Sequence, residues 1–271
     1  MTSSVLSGLS ALQIMGLSTA AISKLTANDI SGPGGLTTIQ AAALSSTQVG
    51  VLSTDSVQAL TSNQISSFAT RAVSGLTGAQ IAFLTTSAVS GLTTAEAQAL
   101  STDAVSGLTT DQIGSVSTAD VAALTSAQLG VLTTDDAALL TTSQVAALTT
   151  AAVAGLTSGQ LNVLAIASLS TASIGKLSTA QLSSLTTDQS SVLTTSQIRA
   201  LSTAQVHALT TDQLSTLTTS QTAALTTAEV AALSTGQLQA LTTDQTSTLT
   251  TGELRALTTG QVAALTTDQL S

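Results

Sequence analysis

LSTAQVHA LTTDQLST LTTSQTAA LTTAEVAA LSTGQLQA LTTDQTST LTTGELRA LTTGQVAA LTTDQLS, residues 201–271, returns a leucine every eight positions: Leu201, Leu209, Leu217, Leu225, Leu233, Leu241, Leu249, Leu257 and Leu265. Counted from that leucine as position 0, the octad runs Leu, Thr/Ser, Thr, variable, Gln/Glu, an aliphatic, variable, then a small residue. Ser/Thr at +1 with Gln/Glu at +4 is a capping box, in which the hydroxyl takes a backbone N–H and the longer side chain returns to the cap's own N–H. Leucine before the cap and an aliphatic residue at +5, such as Leu201 and Val206, form the hydrophobic staple. Two start signals coincide in each octad. Because the next cap follows the next leucine, each helix is held to about six residues, too short to stand alone, and its neighbours must hold it.

The charges agree with this polarity. All fourteen acids fall at +3 or +4, the first helical turn: Asp55, Asp103, Asp111, Asp135, Asp188, Asp212, Asp244 and Asp268 at +3, and Asp29, Glu96, Asp120, Asp136, Glu229 and Glu253 at +4. Of the five basic residues, Lys24, Lys176, Arg199 and Arg255 fall at +6 or +7, and Arg71 at +3 is the exception. Acids at helix starts and bases at helix ends are what the helix dipole favours, at about 0.3–1 kcal/mol each. The expected fold is therefore all-α, a solenoid of very short capped helices, one per octad. The competing reading is a β-solenoid with about sixteen residues per coil, since Thr, Val and Ile favour strands. Against it stand the Ala, Leu and Gln content, the absence of Gly/Asn turn signals at fixed positions, and an apolar spacing of 5 then 3, which does not alternate.

The octad extends almost to the N-terminus through Leu25, Leu17 and Leu9, so residues 1–30 read as N-terminal octads. Residues 31–35, SGPGG with the single proline Pro33, lengthen one spacing from eight to eleven and read as a Gly/Pro turn. Residues 36–164 form a first array, with Phe68 and Val116 in leucine positions. From Ser56 its +4 residues alternate between Gln and other types (Ser56, Gln64, Ala72, Gln80, Ala88), a sixteen-residue rhythm that reads as a layer two octads deep. Residues 165–169 shorten one spacing to five, a frame slip that reads as a kink or boundary. Residues 170–271 form a second array with Gln dominating +4.

With 43% hydrophobic but only 1% aromatic residues, the core is expected to be a thin ladder of Leu, Val, Ile and Ala, stabilised cumulatively by nearest-neighbour stacking. A net charge of −9 with five Lys and Arg disfavours nucleic acid and anionic lipid as partners. No cysteine is present, which excludes disulfides and thiolate metal sites and suits an extracellular protein. Ser and Thr interrupt every octad, so no apolar run approaches the roughly eighteen residues of a spanning helix, and no membrane insertion is expected. The N-terminal stretch has no base before Lys24 and does not resemble a cleavable signal peptide.

The sequence nominates no catalytic, cofactor-binding or metal-binding residue. His207, the only histidine, occupies the variable +6 position, where an exposed helix-end residue is expected. The acids occur singly and lack the Gly-rich loops of a calcium ladder. An enzyme is not expected, because a near-uniform repeat supplies no cluster of convergent polar groups. Both termini are ordinary repeats, whereas solenoids normally carry polar caps. Head-to-tail contact with another copy of the chain is therefore the expected partnership, giving a filament or surface layer. The alternative is a monomeric adhesin stalk, spacer or surface-binding module. The octads also resemble the Leu-Thr-Thr-x-Gln tandem repeats of large proteobacterial surface or secreted proteins. That resemblance implies a structural or adhesive role outside the cell or at its surface, with itself, the cell surface or the matrix as partners and no active site.

Overall fold

The computed structural model describes residues 6–270; residues 1–5 of the N-terminal octads and Ser271 lie outside the described residues. Among the described residues the chain forms 31 α-helices of four to six residues, from Ala11–Met15 to Thr259–Ala264, two 3₁₀ turns at Ile166–Ser168 and Asp268–Leu270, and no strand. The β-solenoid alternative is excluded. All but one of these α-helices start under a Ser or Thr whose side chain accepts the backbone N–H three residues on. The exception, Thr70–Val73, follows Ala69, which has no hydroxyl to offer. It also carries Arg71, and a four-residue helix places that base in its last turn as well as its first, so the sequence exception is not an electrostatic misfit.

The corners explain why glycine is not needed at a fixed position. After Thr203–Ala208 the chain leaves the helix through two extended residues, Leu209 (φ −60°, ψ 139°) and the next cap, Thr210 (φ −73°, ψ 161°). The leucine N–H closes the outgoing turn on the +5 carbonyl, as Leu209 does on Val206 at 3.1 Å. Both conformations are open to any L-residue. A positive φ occurs among the described residues only at Gly34, inside the Gly/Pro turn.

Two compact units are present, Met1–Leu140 and Thr141–Ser271. The sequence places a boundary at the frame slip of residues 165–169; those residues lie within the second unit, where Ile166–Ser168 stands in for an octad helix and buries Ile166. Within each unit, helices pack on the third helix along the chain. In the first unit Thr94–Ala99 lies against Thr70–Val73 and Thr118–Ala123; in the second, Thr227–Ala231 lies against Thr203–Ala208 and Thr251–Ala256. A turn of each solenoid therefore holds at least three octads, and the two-octad layer read from residues 36–164 is too thin. Leucines at position 0 and aliphatic residues at +5 face the interior, as Leu177, Leu182, Leu185, Leu209 and Leu214 do, and make the expected ladder core.

The sixteen-residue rhythm has a different cause. Between residues 68 and 108 the octads with Ala at +4 also carry Gly at +7, in the run Ala-Val-Ser-Gly-Leu at 72–76, 88–92 and 104–108. Those glycines press on the start of a helix one turn back: a Cβ on Gly75 would overlap the Ser46 carbonyl oxygen, and one on Gly107 the Gly78 carbonyl oxygen. Octads with small residues at +4 and +7 thus approach their neighbours backbone to backbone, while the intervening Gln octads reach across by side chain.

Candidate functional site: the seam between turns

The chemistry of this chain is concentrated in the contact between successive turns, and the +4 glutamine makes it. Gln213 is typical. Its Oε1 accepts the Thr210 N–H at 2.8 Å, completing the capping box, while its Nε2 donates to the carbonyls of Leu182 at 2.9 Å and Leu185 at 2.7 Å. Those carbonyls lie 31 and 28 residues back, at the +5 position of one octad and at the leucine that follows. The Leu182 carbonyl already takes the Leu185 N–H at 3.2 Å and has a second acceptor site to fill, and for the buried Leu185 carbonyl an unmade bond is costly. One buried amide therefore satisfies a donor at the start of its own helix and two acceptors at the end of another.

Gln80, Gln112, Gln128, Gln221, Gln245 and Gln269 repeat both spacings, 31 and 28. Twenty-eight residues are three and a half octads, so each helix lies over a corner between the third and fourth octads behind it. Where the octad is irregular the spacing changes by the size of the irregularity. Across the Gly/Pro turn, which adds three residues, Gln48 reaches Ile14 and Leu17 at separations of 34 and 31. Across the frame slip, which removes three, Gln189 reaches Leu161 and Leu164 at 28 and 25. The seam follows corners, not residue counts.

The seam is also directional. One face of each turn offers amide donors, and the opposite face offers carbonyl pairs and the +5 side chains. On the donor face of the first turn Gln13 is exposed, whereas Gln40, Gln48 and Gln64 are buried. On the acceptor face at the other end, Leu254, Val262 and Leu270 are exposed by 44, 46 and 64%, whereas Leu214 and Leu238 at the same octad position are fully buried. An open depression of about 320 Å³ lies there, lined by Thr246, Leu249, Leu254, Leu265, Gln269 and Leu270 among others.

The other residues singled out in the sequence do not converge. His207 is exposed at the end of Thr203–Ala208, and it contributes its backbone carbonyl, not its ring, to the seam as an acceptor for Gln237 at 2.9 Å. The acids at +4 are buried as caps; Asp55, Asp103, Asp188, Asp212 and Asp244 at +3 are exposed. Asp103 takes the Gly78 N–H at 2.7 Å, capping a helix one turn back. Among the described residues no three His, Asp or Glu side chains come together as a metal site. A cavity of about 20 Å³ within the first unit is lined by apolar side chains including Val89, Leu100, Ile113, Val116 and Leu124. An apolar void of that size has room for about one water and gives it no partner. Among the described residues no helix is long and apolar enough to cross a membrane.

Comparison with known families matches two stretches of the chain. The family model described as the ALTTAQ repeat matches residues 116–150 and 191–219. The chain is a tandem-repeat protein. Both matched stretches are runs of octads, one from the segment with alternating +4 residues and one from the segment in which Gln recurs in nearly every octad. No curated protein matches the chain.

Proposed function

We propose that this repeat protein is a structural, non-catalytic element that assembles head to tail, outside the cell or at its surface, into a filament or layer. The observation that carries this reading is the direction of the seam: amide donors face one way, carbonyl pairs and +5 side chains face the other, and the two faces of any stack of octads are complementary. A contact between unlike faces is heterologous and propagates unless it closes into a ring. The acceptor face around Leu254 and Val262 takes the same donor groups whether they belong to a continuation of the chain or to a second copy, and the proposal concerns the second copy. The absence of cysteine and the resemblance to repeats of surface proteins favour the extracellular setting.

Negative-stain electron microscopy of the purified chain across a dilution series tests this. Fibres of uniform width that shorten on dilution are expected, and Val262→Arg, which places a charge on the exposed acceptor face, is expected to leave short rods of folded protein. Single rods of one length at every concentration, unchanged by Val262→Arg, would overturn the filament and leave a monomeric stalk or spacer.

A further inference from the structure

One member of the +4 series breaks the chemistry of the seam. Glu96 is 1% exposed, and its Oε2 accepts the Thr93 N–H at 2.7 Å and the Thr93 hydroxyl at 2.8 Å. That is the task of Oε1 in the glutamine octads. Oε1 of Glu96 therefore stands where glutamine carries its NH₂, and it is the one buried side-chain nitrogen or oxygen among the described residues without a hydrogen-bond partner. In the neighbouring Gln80, Gln112 and Gln128 the equivalent Nε2 reaches the carbonyls 28 and 31 residues back at 2.6–3.0 Å. For Glu96 the same register names the carbonyls of Phe68 and Ile65. An ionised Oε1 is an acceptor facing acceptors, whereas a protonated one is a donor.

We infer that Glu96 is held in the folded array as the neutral acid, its Oε1–H donating to the carbonyl of Phe68 or Ile65, so that a proton closes the seam under Thr94–Ala99. The surroundings favour the proton. Of the two helices packed on this one, Thr70–Val73 carries exposed Arg71 and Thr118–Ala123 carries buried Asp120; Ser62–Ile65, which supplies the Ile65 carbonyl, has no charged residue, and the next helix in the chain, Thr102–Ser106, has exposed Asp103. Burial pushes the Glu96 carboxyl above its ordinary value of 4.5, the bonds from Thr93 oppose that, and the Asp120 charge adds to the rise. Between the ordinary and the raised value the folded chain holds the proton and the unfolded chain does not. Glu96 is therefore tolerated best below 4.5, and its contribution to stability falls as pH rises through the folded-state value. Each unit of separation makes the folded-to-unfolded ratio about tenfold smaller on the alkaline side.

The sequence has only three glutamates, Glu96, Glu229 and Glu253, so ¹³C-carboxyl NMR of glutamate-labelled full-length chain resolves the site, and Glu96→Gln assigns it. The Glu96 carboxyl is expected to titrate above 4.5. In parallel, urea midpoints from about pH 4 to about pH 8 are expected to show that Glu96→Gln gains most over the wild type at the alkaline end. Glu96→Ala, a residue that neighbouring octads carry at +4, is expected to lose the same pH-dependent increment without supplying a donor. A carboxyl titrating at or below 4.5, or wild-type and Glu96→Gln midpoints that run parallel across the range, would overturn the inference.

Discussion

Replacing Gln213 by alanine tests how much one seam residue contributes. Gln213 is 2% exposed and makes three side-chain hydrogen bonds: one accepted from the Thr210 N–H and two donated to the carbonyls of Leu182 and Leu185. Their losses are unequal. The Leu182 carbonyl keeps the Leu185 N–H at 3.2 Å, so its loss is that of a second bond, about 0.5–1.5 kcal/mol. The Leu185 carbonyl is buried with Gln213 as its donor, and orphaning it costs about 1–3 kcal/mol. The loss of the cap return is smaller, since the Thr210 N–H is only part-buried and lies near water. Together these give about 2–4 kcal/mol. The assay is native-state hydrogen exchange, because a repeat array need not unfold in one step. Exchange should accelerate in Thr179–Ser183 and Thr211–Ser215, the helices that the side chain ties together, before it does so at a distance. The control is Thr210→Ala, which removes the cap hydroxyl alone and is expected to cost about 1 kcal/mol. If Gln213→Ala costs no more than Thr210→Ala, the glutamines are ordinary caps and the seam argument fails.

Two further outcomes follow from the same geometry. Gly107→Ala should destabilise the first unit by at least about 1–3 kcal/mol, because its Cβ would overlap the Gly78 carbonyl oxygen, whereas Gly236→Ala, whose Cβ meets nothing within 4 Å, should stabilise the second unit by about 0.5–1 kcal/mol; urea unfolding monitored by circular dichroism compares them. Asp29 should behave oppositely to Glu96: bonds from the Thr26 backbone N–H and hydroxyl hold its carboxyl below the ordinary 3.8, so its contribution is present above 3.8 and is lost as pH falls through the folded-state value. Acid unfolding curves of the wild type and Asp29→Asn should therefore converge at the acid end, and curves that stay parallel throughout would refute the assignment.

What the sequence reveals is what eight residues contain. Cap, staple and dipole each act within one octad, so Thr210, Gln213 and Asp212 declare a helix start without reference to any other part of the chain. The number of octads per turn is different. It is set by contacts 28 and 31 residues apart, and a repeat of near-identical octads gives no sign of which later leucine a given glutamine lies over. For the same reason the second task of the +4 glutamine is invisible from sequence: the capping box accounts for its Oε1 and leaves its Nε2 without a stated partner. A buried amide with two N–H groups needs acceptors, and asking where they are would have pointed to the orphan carbonyls at helix ends. The pairing of Ala at +4 with Gly at +7 was also readable. It separates the close-approach octads from the Gln octads, where the +4 alternation alone suggested a thinner layer.

The two irregularities show what the fold measures. A three-residue insertion at 31–35 and a three-residue deletion at 165–169 shift hydrogen-bond separations from 31 to 34 and from 28 to 25, yet each glutamine still meets a +5 carbonyl or the leucine after it. Had the seam been set by residue number, either change would have moved Nε2 onto the wrong carbonyl and left buried acceptors unpaired. It is set instead by corners, each a leucine and a cap in extended conformation, and the chain between corners is free to be a five-residue helix, a 3₁₀ turn or a helix with a Gly/Pro loop. Thr187–Ser191, the helix that carries Gln189, makes the point: its amide spans the shortened stretch and still bonds Leu161 at 2.8 Å and Leu164 at 3.1 Å. The leucine period is then a consequence of packing many like elements, and the corner with its two carbonyls is the unit that the next turn recognises.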